Sequence, residues 1–101
     1  MTRTTLEVLE ALVNLGGRIF GLRIAQTTGL MTGTVYPILA RLEKAGWVTS
    51  HWEEDEGPDS RGSRRRLYEL TPMGRELARE ALTARDARRG ITPRRQPGFQ
   101  A

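Results

Sequence analysis

The stretch "GLMTGTVYPILARLEKAGWV", Gly29 to Val48, decides how this chain is read. From Met31 or Thr32 to Ala45 its apolar residues recur at helical spacing: Val35, Leu39 and Leu42 form a stripe that Ile38 and Ala45 flank. Gly29 before it is the residue expected where a helix ends in a left-handed turn, and Gly46 stops the helix itself. Pro37 sits past the first turn, where proline removes a backbone hydrogen bond. A carbonyl freed there is satisfied by water if that end of the helix is exposed. Gly33, Thr34 and Tyr36 therefore stand at the open start of a helix whose remainder is core.

Upstream, Leu6, Leu9, Leu12 and Val13 predict a first helix over 5–15, capped by Thr4 or Thr5 and ended by Gly16-Gly17. A short second helix runs from about Gly21 to Thr28, with Leu22 and Ala25 turned inward. Downstream, "WVTSHWEE" and "RRRLYEL" alternate and are rich in β-formers, and the turn-rich "DEGPDSRGS", Asp55 to Ser63, joins them as a β-hairpin. "LTPMG" then opens a fourth helix, Pro72 to about Arg89, with Thr71 as cap and Pro72 at the first helical position. Gly90, Pro93, Pro97 and Gly98 leave 90–101 without helix or core, a basic disordered tail behind a single domain over 1–89.

Helix, short helix, glycine turn, helix, hairpin, helix is the order of a winged helix-turn-helix. The expected fold is α+β but mainly α: a three-helix core, a two-stranded β-hairpin wing and a C-terminal dimerisation helix. In this arrangement the first residues of the second helix of the motif face base edges in the major groove, and its unpaired N–H groups attract phosphate. Gly33 and Thr34 permit close approach, Thr34 offers a hydroxyl and a methyl, and Tyr36 places a hydroxyl on an aromatic lever. Thr32 and Arg41 on the same helix, and Arg61, Ser63, Arg64, Arg65 and Arg66 on the wing, complete the candidate DNA contacts. The plainer alternatives are that Thr32 is only a cap, Tyr36 only packs on a neighbouring helix, and the wing charges only solvate a loop.

Composition fits this reading. Among 101 residues, 16 Lys+Arg outweigh 12 Asp+Glu for a net charge of +4, and the excess is arginine because Lys44 is the only lysine. Arginine suits bidentate phosphate and guanine contacts. The absence of cysteine excludes disulfides and thiolate chemistry and agrees with a cytoplasmic location. The N-terminus has no apolar run of signal or membrane-spanning length. No phosphate-binding glycine loop or nucleophile–base pair stands out, so neither an enzyme nor a cofactor is expected. The acidic run Glu53 to Glu56 reads as pointing away from DNA or pairing with arginine, not as a metal site. The lone His51 belongs on the wing surface, and Trp47 and Trp52 belong to core and hairpin packing. Arg85, Arg88, Arg89, Arg94 and Arg95 read either as a phosphate-tracking arm or as a solubilising tail.

"MTGTVYPILARLEKAGWV", followed by "RRRLYELTPMG", resembles the PadR family of bacterial transcriptional regulators over roughly residues 5 to 85. That family pairs a glycine-threonine-x-tyrosine-proline recognition helix with an arginine-rich wing ending in Tyr-x-Leu-Thr-Pro-x-Gly. Met31-Thr32 stands where the family usually has serine and proline, which shifts the helix start by a residue and makes Thr32 its cap. The resemblance implies a DNA-binding repressor of a palindromic operator, dimeric through its last and first helices and released by a small-molecule effector. Leu6, Leu9, Leu77, Ala81 and Leu82 are the interface candidates that follow. A winged-helix protein-interaction module and a non-specific nucleic-acid binder remain as alternative readings.

Overall fold

The computed structural model describes residues 1–53 and 65–90. Along these the elements are α1 (Arg3–Leu15), β1 (Ile19–Phe20), α2 (Gly21–Thr28), α3 (Thr32–Lys44), β2 (Val48–Trp52), β3 (Arg66–Leu70) and α4 (Pro72–Arg88). The fold class is the expected one, a mainly helical winged helix-turn-helix, but its sheet has three strands rather than two. β3 lies in the middle, with β1 and β2 antiparallel on either side of it. β1 is only two residues long, too short to register as alternation in the sequence.

Each helix boundary has a local cause. α1 begins earlier than the expected Thr4 or Thr5 cap, because the Thr2 hydroxyl accepts the Thr5 amide at 3.2 Å. Gly16 ends α1 at φ 70° and donates its amide to the Leu12 carbonyl at 3.1 Å. Gly29 ends α2 in the left-handed conformation at φ 76° and donates to the Ala25 carbonyl at 2.8 Å. The Thr28 hydroxyl bonds the Ile24 carbonyl behind it and accepts the Leu30 amide ahead of it. Together these contacts set the tight turn that leads into α3.

Leu9, Leu12, Ile24, Leu39, Val8, Val35 and Val48 are the largest fully buried side chains, so the core draws on α1, α2, α3 and β2. The inward face of α2 differs from expectation. Ala25 is buried as expected, but Leu22 is 49% exposed, and Ile24 takes the inner position at 0%. Gly21, Ile24, Ala25 and Thr28 share one helical face, and Leu22 lies off it. Ala45 is likewise exposed, being the C-cap of α3 rather than part of its stripe.

α4 is seated by the "LTPMG" segment. Thr71 caps it, its hydroxyl accepting the Gly74 amide at 2.9 Å and donating to the Gly46 carbonyl at 2.8 Å. The Thr71 amide donates to the Trp47 carbonyl at 2.9 Å. Gly74 is buried against that same peptide: a Cβ built on it would lie 2.7 Å from the Trp47 carbonyl carbon and 2.8 Å from its Cα. At the other end Arg85 is buried and donates through both terminal nitrogens to Glu10 of α1, at 3.2 Å each, and to Asp86. The Glu10 carboxylate pushes the Arg85 guanidinium further above its already high range, so it stays charged. This corrects the grouping of Arg85 with a phosphate-tracking arm. Arg94 and Arg95, and the tail expected over 91–101, lie outside the described residues.

Candidate nucleic-acid interface

α3 starts without a side-chain cap. Met31 holds the cap position in extended conformation (φ −75°, ψ 151°) and makes no side-chain cap bond, and Thr32 is already helical. Thr32 is therefore the first helical residue and not the cap. The Met31 carbonyl accepts the Thr34 and Val35 amides at 2.9 and 3.0 Å. The Thr32 and Gly33 amides are left pointing outward, as the first amides of any helix are. Positive dipole character gathers there.

The outward face of α3 is shallow. Gly33, Tyr36, Pro37, Ala40, Arg41 and Lys44 are all exposed, while Val35, Ile38, Leu39 and Leu42 are buried behind them. Gly33, Pro37 and Ala40 keep the profile low, and Arg41 and Lys44 add positive charge toward the C-terminal end. Among the described residues nothing lies within 4 Å of a Cβ built on Gly33, and its φ is not in the left-handed range. Neither intramolecular packing nor backbone conformation calls for a glycine at that position. Pro37 has no N–H for the Gly33 carbonyl, which at this exposed end faces water.

Thr34 is half-buried. Tyr36 is 40% exposed, and its ring also packs inside the protein. A Cβ on Gly21 would lie 2.7 Å from the Tyr36 hydroxyl oxygen and 2.8 Å from Cζ, so α2 begins with glycine where the tyrosine crosses it. Its centroid is 6.4 Å from that of Tyr68. The ring of Tyr36 therefore packs on α2, and part of it stays exposed. Gly21 was not singled out from the sequence, since nothing near it in the chain announces a tyrosine fifteen positions later.

The wing arginines separate. Pairing of Ser50 with Tyr68 and of Trp52 with Arg66 puts Val48, Ser50 and Trp52 on one face of the sheet with Leu70, Tyr68 and Arg66. This face passes from a buried pair, Val48 and Leu70, to the Trp52–Arg66 pair, where the guanidinium carbon sits 4.8 Å from the indole centroid. Arg65 precedes the strand and takes the opposite side. Its guanidinium lies 4.1 Å over the Phe20 ring and 3.4 Å from Glu53, matching the expected pairing of the acidic run with arginine. Arg61, Ser63 and Arg64, with Glu54, Asp55 and Glu56, lie outside the described residues. His51 and Glu69 share the outer face at 3.9 Å, with Arg18 3.5 Å from Glu69. Tyr68 is buried, and burial pushes its phenol above the ordinary value while the nearby Arg66 charge opposes the rise.

Of the interface candidates, Leu77, Ala81 and Leu82 are half-buried along α4. Leu6 is 6% and Leu9 0% exposed within this one chain, so Leu9 has no surface left for a partner. No group of metal-binding side chains and no helix long and apolar enough to cross a membrane occurs among the described residues.

A helix-turn-helix with an uncapped, exposed second helix and an antiparallel hairpin beside it defines a winged-helix architecture. The model of the transcriptional regulator PadR-like family matches residues 8–80, and the chain belongs to that family. No curated protein matches it significantly in sequence. Among solved structures, smu.1704 from Streptococcus mutans UA159 superimposes with a TM-score of 0.67 at 25% identity, covering 84% of this chain and 81% of its own. A PadR family transcription regulator from Clostridium difficile R20291 gives 0.66 at 22% identity, over 84% of this chain and 91% of its own. NadR, solved in complex with 4-hydroxyphenylacetate, gives 0.65 at 26% identity, over 89% of this chain but 59% of its own.

Proposed function

We propose that this PadR-like regulator is a sequence-specific repressor that binds a palindromic DNA operator as a homodimer. One observation carries the reading: the start of α3 is uncapped and exposed, with a glycine that nothing among the described residues requires. In this reading the Thr32 and Gly33 amides and the Thr34 and Tyr36 hydroxyls meet phosphate and base edges. Arg41 and, on the wing, Arg61, Arg64 and Arg65 supply charge along the backbone. Leu77, Ala81 and Leu82 of α4 meet their counterparts in a second copy, with the exposed side of α1 beside them. A two-fold dimer of this kind offers its two α3 helices to successive major grooves, about 34–36 Å apart. Release by a small molecule is part of the reading, on the ground that NadR, of the same fold, binds 4-hydroxyphenylacetate. Titrating aromatic acids into the protein–DNA complex tests that part.

Selection from random duplexes tests the whole. The expected result is a palindromic consensus, bound with two copies of the chain and preferred over scrambled DNA. Equal affinity for every duplex would mean a non-specific binder, and no affinity for DNA would leave a protein-interaction module. A monomer in micromolar sedimentation that binds operator without cooperativity would remove the dimer.

A further inference from the structure

The inner face of the hairpin carries a polar chain that joins it to α3. The Ser50 hydroxyl donates to Glu43 Oε2 at 2.7 Å. The same oxygen accepts Nε and Nη2 of Arg66 at 3.0 and 2.8 Å. A hydroxyl has one proton to give and two lone pairs to receive with, and here all three are in use. Glu43 lies on the last turns of α3, Ser50 in the middle of β2 and Arg66 at the outer end of β3. The three residues belong to three elements, and the Ser50–Glu43 bond adds a polar tie from the hairpin to α3.

We infer that Glu43, Ser50 and Arg66 form a relay that fixes the angle of the wing to the recognition helix. Arg66 is then a positioning residue for the DNA interface and not one of its phosphate contacts. This rests on the DNA-reading role given above to α3 and the wing. Three features favour it. Arg66 is half-buried, whereas its neighbour Arg65 is exposed. The fork of Arg66 is turned inward, onto Ser50, while its plane covers Trp52. Tyr68, the cross-strand partner of Ser50 on this face, is buried, so the middle of the relay lies beside core rather than solvent. The buried Val48, Leu70 and Tyr68 and the pairing of β1 with Tyr68 and Leu67 brace the inner part of the sheet, and the relay ties the next pair out, Trp52–Arg66, to α3.

Two measurements on the full chain test this, and only one needs DNA. In the free protein, Ser50→Ala should speed exchange of the amides that close the outer ladder pairs, His51, Glu53 and Leu67, about tenfold, leave α1 and α3 amides unchanged, and be reversed by Ser50→Thr, which restores the hydroxyl. With DNA, Ser50→Ala removes no positive charge, so the salt slope of binding should stay as in the wild type. The preference for operator over random duplex should fall about five- to tenfold. Arg66→Lys keeps the charge but loses the fork, and should resemble Ser50→Ala rather than wild type. Unchanged exchange in Ser50→Ala would overturn the relay. So would an Arg66→Gln variant whose salt slope on random DNA falls by about one, the mark of a lost phosphate contact. If the wild type itself showed no operator preference, the proposed DNA reading would fail instead, and the exchange data would still decide whether the three residues hold the hairpin.

Discussion

α3 and α4 begin on the same residue types, threonine, glycine and proline, and put them to opposite use. At α4, Thr71 caps the helix and ties it to Gly46, Pro72 occupies the first position without loss, and Gly74 lets the helix lie on the Trp47 peptide. At α3, Thr32 caps nothing, Pro37 interrupts the ladder after the first turn, and Gly33 faces open space. The first start is closed by the protein's own atoms. The second is left open, with free amides and a low profile, at the place where a winged helix meets DNA. A residue's type does not tell which of these it serves; the atoms around it do.

The comparison breaks hardest at Gly74. Gly74→Ala drives a methyl into the Trp47 backbone, which no rotamer change can relieve, so it should lose about 3 kcal/mol in urea unfolding. A loss below about 0.5 kcal/mol would mean that α4 can tilt away, and that its start is not closed as described. On the open side the corresponding test is binding rather than stability. Thr34→Ala should weaken operator binding by about 1–3 kcal/mol while the unfolding midpoint hardly moves. Tyr36→Phe isolates the hydroxyl in the same assay, leaving the ring against Gly21 in place. Should stability fall and affinity hold, the start of α3 would be core after all.

The far end of α4 tests how firmly that helix is tied. Arg85→Ala removes the fork to Glu10 and should lower stability by about 1–2 kcal/mol, the partial exposure of Glu10 limiting the loss. It should leave the salt slope of DNA binding untouched; a drop of one unit would return Arg85 to the phosphate-contacting group. At the caps, Thr71→Ala should lose about 1 kcal/mol and Thr32→Ala almost nothing, a difference readable from paired melting curves. One small effect is the most informative in sign. Gly33→Ala should stabilise the free protein by about 0.5–1 kcal/mol, as alanine does in a helix, and weaken operator binding at the same time. A variant that gained stability and kept its affinity would show that nothing approaches Gly33 closely.

Much of this was legible in the chain, and the legible part is local. Leu6, Leu9 and Leu12, then Val35, Leu39 and Leu42, mark the inner faces of α1 and α3 because helical period is a property of neighbouring residues. Gly16, Gly29 and Thr71-Pro72 mark helix ends because backbone conformation and capping act within a turn. Even the separation of Arg65 from Arg66 follows from the period of a strand, although reading three adjacent arginines as one grip concealed it. What the chain could not disclose is which distant group each side chain meets. Arg85 meets Glu10 across 75 positions, Thr71 meets Gly46 across 25, and Arg66 meets Ser50 across 16. Those pairs exist only once the core has brought α1 to α4 and β2 to β3. The sequence by itself determined the order of the four helices and the hairpin, the glycine ends of α1 and α2 and the Thr71-Pro72 start of α4, since each depends on forces within one turn of chain. Tertiary structure alone decided that Gly74 is jammed and Gly33 free, and that Arg85 is a tie and Arg65 a surface charge, because burial and partners depend on what folds against them.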